Sequence, residues 1–276
     1  MKRILTIQDI SCLGKCSLTV ALPIISACGV EASILPTAVL STHTMFKDFT
    51  FTDLTCDMTP ITDHWKQNNL GFDALYTGYL GSKEQINIVA DIFDKFKTEN
   101  NLILIDPVMA DNGKLYPGFT QEFAFDMAKL CAKADVIVPN MTETAFMLGI
   151  PYTTEYDENY IKDILKKLVG LGAKTAILTG VSFEKGKLGA YGYDSVNDRY
   201  FYYFNQHLPA SFHGTGDIFA SALLGALAKG KNMDDALKVA VDYTVECIRI
   251  TLENPDHVWY GVEFESALPK LIELMK

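Results

Sequence analysis

The sequence has no cysteine framework, no basic excess and no apolar run of membrane-spanning length, and each absence closes a class of function. Cys12, Cys16, Cys28, Cys56, Cys131 and Cys247 are scattered without the spacing of a disulfide scaffold, so reduced thiols are expected. Cys12-x-x-x-Cys16 lacks a second close pair that would complete a metal site. A formal net charge of −10 argues against a nucleic-acid or anionic-membrane surface. The segment MKRILTIQD lacks the apolar core of a signal peptide, and a cytoplasmic protein is expected. Linkers, internal repeats and low-complexity tracts are also missing. What remains is 276 residues, 49% hydrophobic and 21% charged, enough for an ample core. The expectation is one domain over residues 1–276.

Strand and helix patterns alternate from Arg3 to about Thr179. Arg3 to Gln8 reads as a first strand, with a polar turn from Asp9 to Lys15. Ser17 to Cys28 reads as an apolar helix kinked or broken late by Pro23. Ala32 to Pro36 is the second strand, and Phe49 to Asp57 is a flap or an edge strand. Further strands are expected at Asp73 to Tyr76, Leu102 to Ile105, Asp135 to Val138 and Thr175 to Thr179. Helices are expected at Ile61 to Asn68, after Ser82, at Thr120 to Ala132, after Asn140 and at Glu158 to Leu171. Lys187 to Tyr193 and Arg199 to Phe204 read as a hairpin. Two more helices close the chain, Asp234 to Thr251 and Glu263 to Met275. The fold class is therefore α/β, a three-layer sandwich whose mainly parallel sheet carries helices on both faces. Polar motifs recur just after strands, at Asp9, Thr44, Gly78, Asp106, Asn140 and Thr179. Open α/β sheets bind ligands at strand carboxyl ends, so these motifs point to one shared site.

The stretch HGTGDIFASALLGALAK, from His213 to Lys229, organises that site. Gly214 and Gly216 flank Thr215, and an apolar helix follows. A glycine-rich turn opening a helix presents unpaired N–H groups at the positive end of the dipole, which suits phosphate. Gly216 is expected to allow close approach of backbone to phosphate, with positive φ accommodated there. Asp217 falls in the first helical turn. It can accept a proton from a hydroxyl attacking phosphate, or simply cap the helix.

Each remaining motif has a chemical and a bland reading. Asp106-Pro107 can orient a phosphate or hold magnesium through water, or be a turn before proline. Asn140 and Glu143 can face a nucleotide, with Glu143 binding hydrated magnesium, or can cap a helix. His43 and Thr44 can contact a small polar ring, or His43 can be a satisfied histidine. Tyr79, in GYLGS, can line a pocket or belong to a turn.

The motifs ILTIQD, STHTMF, GYLGS, DPVMADNGKLYPG, VPNMTE and HGTGD stand in the order and spacing of pyridoxal kinases, and the chain resembles that ribokinase-like family over essentially its whole length. The resemblance implies ATP-dependent phosphorylation of the 5′-hydroxymethyl group of a B6 vitamer, with magnesium, often potassium, and commonly a homodimer. It implies that Asp217 is the general base and that Gly214, Thr215 and Gly216 form the anion hole. Thr44 matches a substrate-pocket residue, and Asp9, His43 and Tyr79 are assigned to the same pocket. Asp106, Glu143 and Thr179 match the nucleotide and magnesium side, with Asn140 beside them. Asp9 stands where many relatives carry a serine that touches the ring, and Thr179 where some carry lysine. Hydroxymethylpyrimidine kinase is the nearest rival reading, and a non-catalytic vitamin- or nucleotide-binding protein the rival from another class.

Overall fold

The computed structural model describes residues 1–276. In chain order the elements begin β1 (Arg3–Ser11), α1 (Leu18–Ala27), β2 (Glu31–Leu40), β3 (Phe51–Asp53), α2 (Thr55–Gln67), β4 (Ala74–Thr77) and α3 (Lys83–Phe96). They continue with β5 (Leu102–Ile105), β6 (Ala110–Asp111), β7 (Lys114–Leu115), α4 (Gln121–Cys131), β8 (Val136–Ile137), α5 (Met141–Leu148) and α6 (Glu158–Val169). The chain closes with β9 (Thr175–Val181), β10 (Lys187–Asp194), β11 (Arg199–Gln206), α7 (Thr215–Ala228), α8 (Met233–Glu253) and α9 (Phe264–Leu274). No helix is long and apolar enough to cross a membrane.

Nine strands form one sheet in the order β11-β10-β9-β8-β5-β4-β1-β2-β3. The run from β9 to β2 is parallel, and antiparallel strands close both margins. The alternation of side chains across each strand divides the core. Leu5, Ile7, Leu75, Ile103, Ile105 and Leu178 face one layer, with Phe93, Met127 and Leu165 of α3, α4 and α6. Ile4, Tyr76, Leu104 and Ile177 face the other, with Ile24, Leu223 and Ala240 of α1, α7 and α8. These positions are buried on both faces, which is why the inner strands read as apolar runs. Helix starts follow the expected chemistry: Ser82, Thr120, Asn140, Asp157 and Asn232 each accept an N–H from their own first turn.

Several boundaries differ from the sequence reading. β1 does not stop at Gln8: after a register shift between Gln8 and Ile10 it pairs Ser11 with Leu40. Asp9 therefore sits in a bulge of a strand, not in a turn. β2 runs on through Leu40, because β1 and β3 both pair with its second half. The ambiguous Phe49 to Asp57 segment resolves into edge strand β3 and the start of α2. Pro23 lies within α1 without ending it. A small antiparallel ribbon, β6 with β7, follows Asp106, where the sequence reading placed no element.

Chain order reverses direction between β1 and β4. The chain leaves β1 for β2 and β3, then returns to β4 and moves through β5, β8 and β9. This switch point opens a crevice at the carboxyl ends of β1 and β4, where Asp9 and Tyr79 lie.

Candidate active site

α7 opens on Gly214, whose φ of 80° is left-handed, and no side chain caps the helix. The first N–H to reach a carbonyl is that of Ile218, on Gly214 at 3.0 Å. The N–H groups of Thr215, Gly216 and Asp217 are thus free at the positive end of a 14-residue helix. The glycine that the turn requires is Gly214. A Cβ there would lie 2.1 Å from the Lys15 carbonyl oxygen. At Gly216, where positive φ was expected, φ is not positive, and a Cβ would meet only the Asp106 carboxylate at 3.6 Å.

Asp217 is buried in the first turn of α7 and accepts the Ser17 N–H at 3.0 Å. Burial pushes its carboxyl up to about 7; the Ser17 N–H opposes the shift and the charge of Asp9 adds to it. Asp106, at the end of β5, is also buried, and its carboxyl is raised by burial and then by Glu143 and Asp217. Glu143 caps α5 reciprocally with Asn140: each side chain accepts the other's backbone N–H at 2.9 Å. Its second oxygen accepts the Met109 N–H at 3.2 Å, and Asn140 Nδ2 donates to the Ala110 carbonyl at 2.9 Å. The pair therefore fastens α5 to the loop that follows Asp106. Burial pushes Glu143 up to about 8 despite these N–H donors. Thr179 continues the sheet beyond β8, donating its N–H to the Pro139 carbonyl at 3.0 Å beside Asn140.

On the other side of the switch point, Asp9 is buried and accepts the Ser11 hydroxyl at 2.9 Å. Burial raises its carboxyl, and the hydroxyls of Ser17 and Ser11 counter that. It does not cap the helix that follows, since α1 has no side-chain cap. The Cys16 thiol and the Tyr79 phenol are pushed up to about 12, chiefly by burial, with the charge of Asp9 adding to both and that of Asp217 to Cys16. Tyr79 is half-buried and packs on Phe119 with ring centroids 5.5 Å apart.

The chain belongs to a family whose model covers most of these residues, with Asp9, Ser11 and Ser17 preceding the match. The phosphomethylpyrimidine kinase model matches residues 24–259. The chain is a member of that family. A Bacteroides thetaiotaomicron protein with the provisional name phosphomethylpyrimidine kinase, crystallised with pyridoxal, is 40% identical, with a TM-score of 0.93 over 98% of this chain and 95% of that one. Pyridoxal kinase from Lactobacillus plantarum is 30% identical, with a TM-score of 0.90 over 99% of this chain and 98% of that one. Pyridoxal kinase from Dictyostelium discoideum is 28% identical over 81% of this chain and 77% of that one. The fold is ribokinase-like, and within the family the chain falls with the pyridoxal kinases.

Placed in this family's frame, the sequence-derived residues divide. Asp9, Tyr79, Asp106, Asn140, Glu143, Thr179 and the turn from Gly214 to Asp217 gather along one edge of the sheet. Thr44 follows β2 on the same edge but is exposed. His43 has no ring nitrogen free for a ligand. Its Nδ1 accepts the Met45 N–H at 3.2 Å, so the proton sits on Nε2, which faces the Tyr260 carbonyl at 3.2 Å. Its ring packs with Phe46, His213 and Trp259. His43 thus joins the loop after β2, the anion turn and the segment before α9.

Sequence reasoning missed several participants. Ser17 supplies the N–H on Asp217. Beneath Asp217, Gln8 Oε1, the Tyr76 hydroxyl and the Ser221 hydroxyl are buried without partners. Polar residues inside otherwise apolar elements, Thr6 and Gln8 in RILTIQD and Ser221 in α7, were the available signal. Lys15 was also overlooked. Its carbonyl lies against Gly214, its stem lies where a Cβ on Gly261 would be 2.5 Å away, and its Nζ meets Glu265 at 2.6 Å. A separate cleft of about 400 Å³ opens between Phe183, Tyr202 and Phe204, and none of the site carboxylates lines it.

Proposed function

We propose that the chain, as one kinase domain over residues 1–276, transfers the γ-phosphoryl group of ATP to the 5′-hydroxymethyl group of pyridoxal, pyridoxamine or pyridoxine. The observation that carries this reading is Asp217, a buried carboxylate in the first turn of an uncapped helix that offers three free N–H groups. In-line phosphoryl transfer needs positioning, charge stabilisation and a base more than covalent chemistry. Asp217 takes the proton of the attacking hydroxyl. Its carboxyl, raised to about 7, matches a base that works near neutral pH. The N–H groups of the turn formed by Gly214, Thr215 and Gly216, with that of Asp217, hold the transferring phosphoryl group. Asp9, Thr44 and Tyr79 line the ring side, with His43 fixing the loop that carries Thr44. Asn140 and Thr179 lie on the nucleotide side.

Asp106 and Glu143 are assigned to magnesium, through water. The donor set fits: both are buried carboxyl oxygens, the ligand type magnesium favours, and neither forms a salt bridge. The ion supplies neutralisation of the ATP phosphates. Potassium as a further aid, a homodimer and a cytoplasmic location belong to the same reading, on the strength of the family resemblance.

Turnover of ATP with a panel of hydroxymethyl heterocycles tests the proposal. Phosphorylation of the three vitamers supports it, and no turnover with any of them overturns it. The family model favours one second reading, an aminopyrimidine ring as acceptor, and the same panel contains it. An intact base and anion turn speak against a purely binding role.

A further inference from the structure

Four carboxyl groups stand at the strand ends around the switch point with no basic side chain paired to them. Asp9, Asp106, Glu143 and Asp217 are all buried, and none forms a salt bridge. The arginines are engaged elsewhere: Arg3 with Glu31, Arg199 with Asp234, and Arg249 with Glu246 and Glu253. The lysine nearest the anion turn, Lys15, is held by Glu265 and lies over the Phe264 ring. Asp217 and Asp106 have assigned work on the phosphoryl side. Asp9 does not. It occupies the bulge where β1 shifts register against β2, a feature that re-aims a side chain next to a site. Its partners are neutral hydroxyls, Ser11 at 2.9 Å and that of Ser17, and its charge reaches Asp217, Cys16 and Tyr79.

We propose that Asp9 is a specificity-determining residue that makes this site select rings bearing a cationic or donating nitrogen. The inference rests on the kinase reading above and sharpens its substrate class. A carboxylate only accepts, so a protonated ring nitrogen or an ammonium substituent gains a charge-assisted hydrogen bond that a neutral substituent does not. Burial raises the carboxyl of Asp9 in the free protein, and a cation in contact with it favours the ionised form, whereas a neutral ring does not.

The test compares wild type with Asp9→Asn and Asp9→Ser. The acceptors are pyridoxamine, pyridoxine and hydroxymethylpyrimidine, each at saturating ATP. Wild type is expected to favour pyridoxamine over pyridoxine in kcat/KM. That ratio should fall about ten- to a hundredfold in both variants, the range of one charge-assisted hydrogen bond. Unchanged ratios in both variants overturn the proposal. Asp9→Asn keeps the shape and an acceptor for Ser11, which guards against a folding defect in the serine variant. Calorimetric titration of pyridoxamine and pyridoxine into wild type and Asp9→Asn gives a second reading without turnover. If no acceptor is phosphorylated, the kinase reading fails, while an equal affinity ratio in the two proteins would still overturn the role of Asp9.

Discussion

The Ser17 N–H donates to the Asp217 carboxylate at 3.0 Å, so one buried side chain joins the amino ends of α1 and α7. This bond gives Asp217 two separable roles, one structural and one chemical. An amide at position 217 retains an acceptor for Ser17 but has no affinity for a proton. Asp217→Asn is therefore expected to fold and to bind ATP while kcat falls by roughly 10²–10⁴-fold. Steady-state kinetics beside nucleotide titration check this, and near-full turnover would remove Asp217 from the chemistry.

The two glycines of the anion turn should respond differently. Gly214→Ala places a methyl 2.1 Å from the Lys15 carbonyl at a φ of 80°, so both activity and melting temperature should drop sharply. Gly216→Ala meets only a 3.6 Å contact with Asp106 and should fold normally. Equal melting temperatures for the two variants would contradict the assignment.

Glu143→Gln removes one of two acceptor oxygens that face N–H donors, leaving an amide NH₂ against either Met109 or Asn140. A loss of about 1–3 kcal/mol in unfolding free energy is expected from the unmatched buried donor. If Glu143 also serves magnesium, the concentration for half-maximal rate rises as well. Urea melts and a magnesium titration separate the two effects; a normal titration with reduced stability would leave only the capping role.

Asp217 also gives the protein a pH signature. Its carboxyl is raised from 3.8 to about 7, mainly by burial, so the native state holds the proton more tightly than the unfolded chain. Its contribution to stability is full at low pH and declines as pH rises from about 4 through about 7. Catalysis runs the other way, since the base must be ionised, and kcat/KM should rise to a plateau above pH 7. Asp217→Asn should flatten that part of the stability profile. A wild-type rate that did not fall below pH 7 would refute the assignment of this base.

The sequence made the sheet and most of the site legible because strand ends carry the polar residues. Asp106, Asn140 and Asp217 each follow or precede an apolar run that announces its own element. The bulge at Asp9 was hidden, since pairing of Ile10 and Ser11 depends on β2, which sequence alone leaves unplaced. The β6–β7 ribbon carries a local signal: Asn112-Gly113, with φ of 50° and 75°, is the pair that a two-residue hairpin prefers. The partners of His43 were hidden for a different reason. Its ring nitrogens go to Met45 and Tyr260, and the second partner lies 217 residues away, beyond any local pattern. The same distance conceals which glycine of the anion turn is indispensable, because the group that crowds Gly214 belongs to residue 15.

Lys15 has a consequence for how the enzyme fails. Its carbonyl packs on the anion turn while its side chain is anchored to Glu265 and lies against Gly261. The start of the last helix thus braces the anion turn from outside the sheet, and His43, packed on both His213 and Trp259, braces it from the loop after β2. Loosening of the segment before α9 should therefore disarm Gly214 while the sheet beneath is still intact.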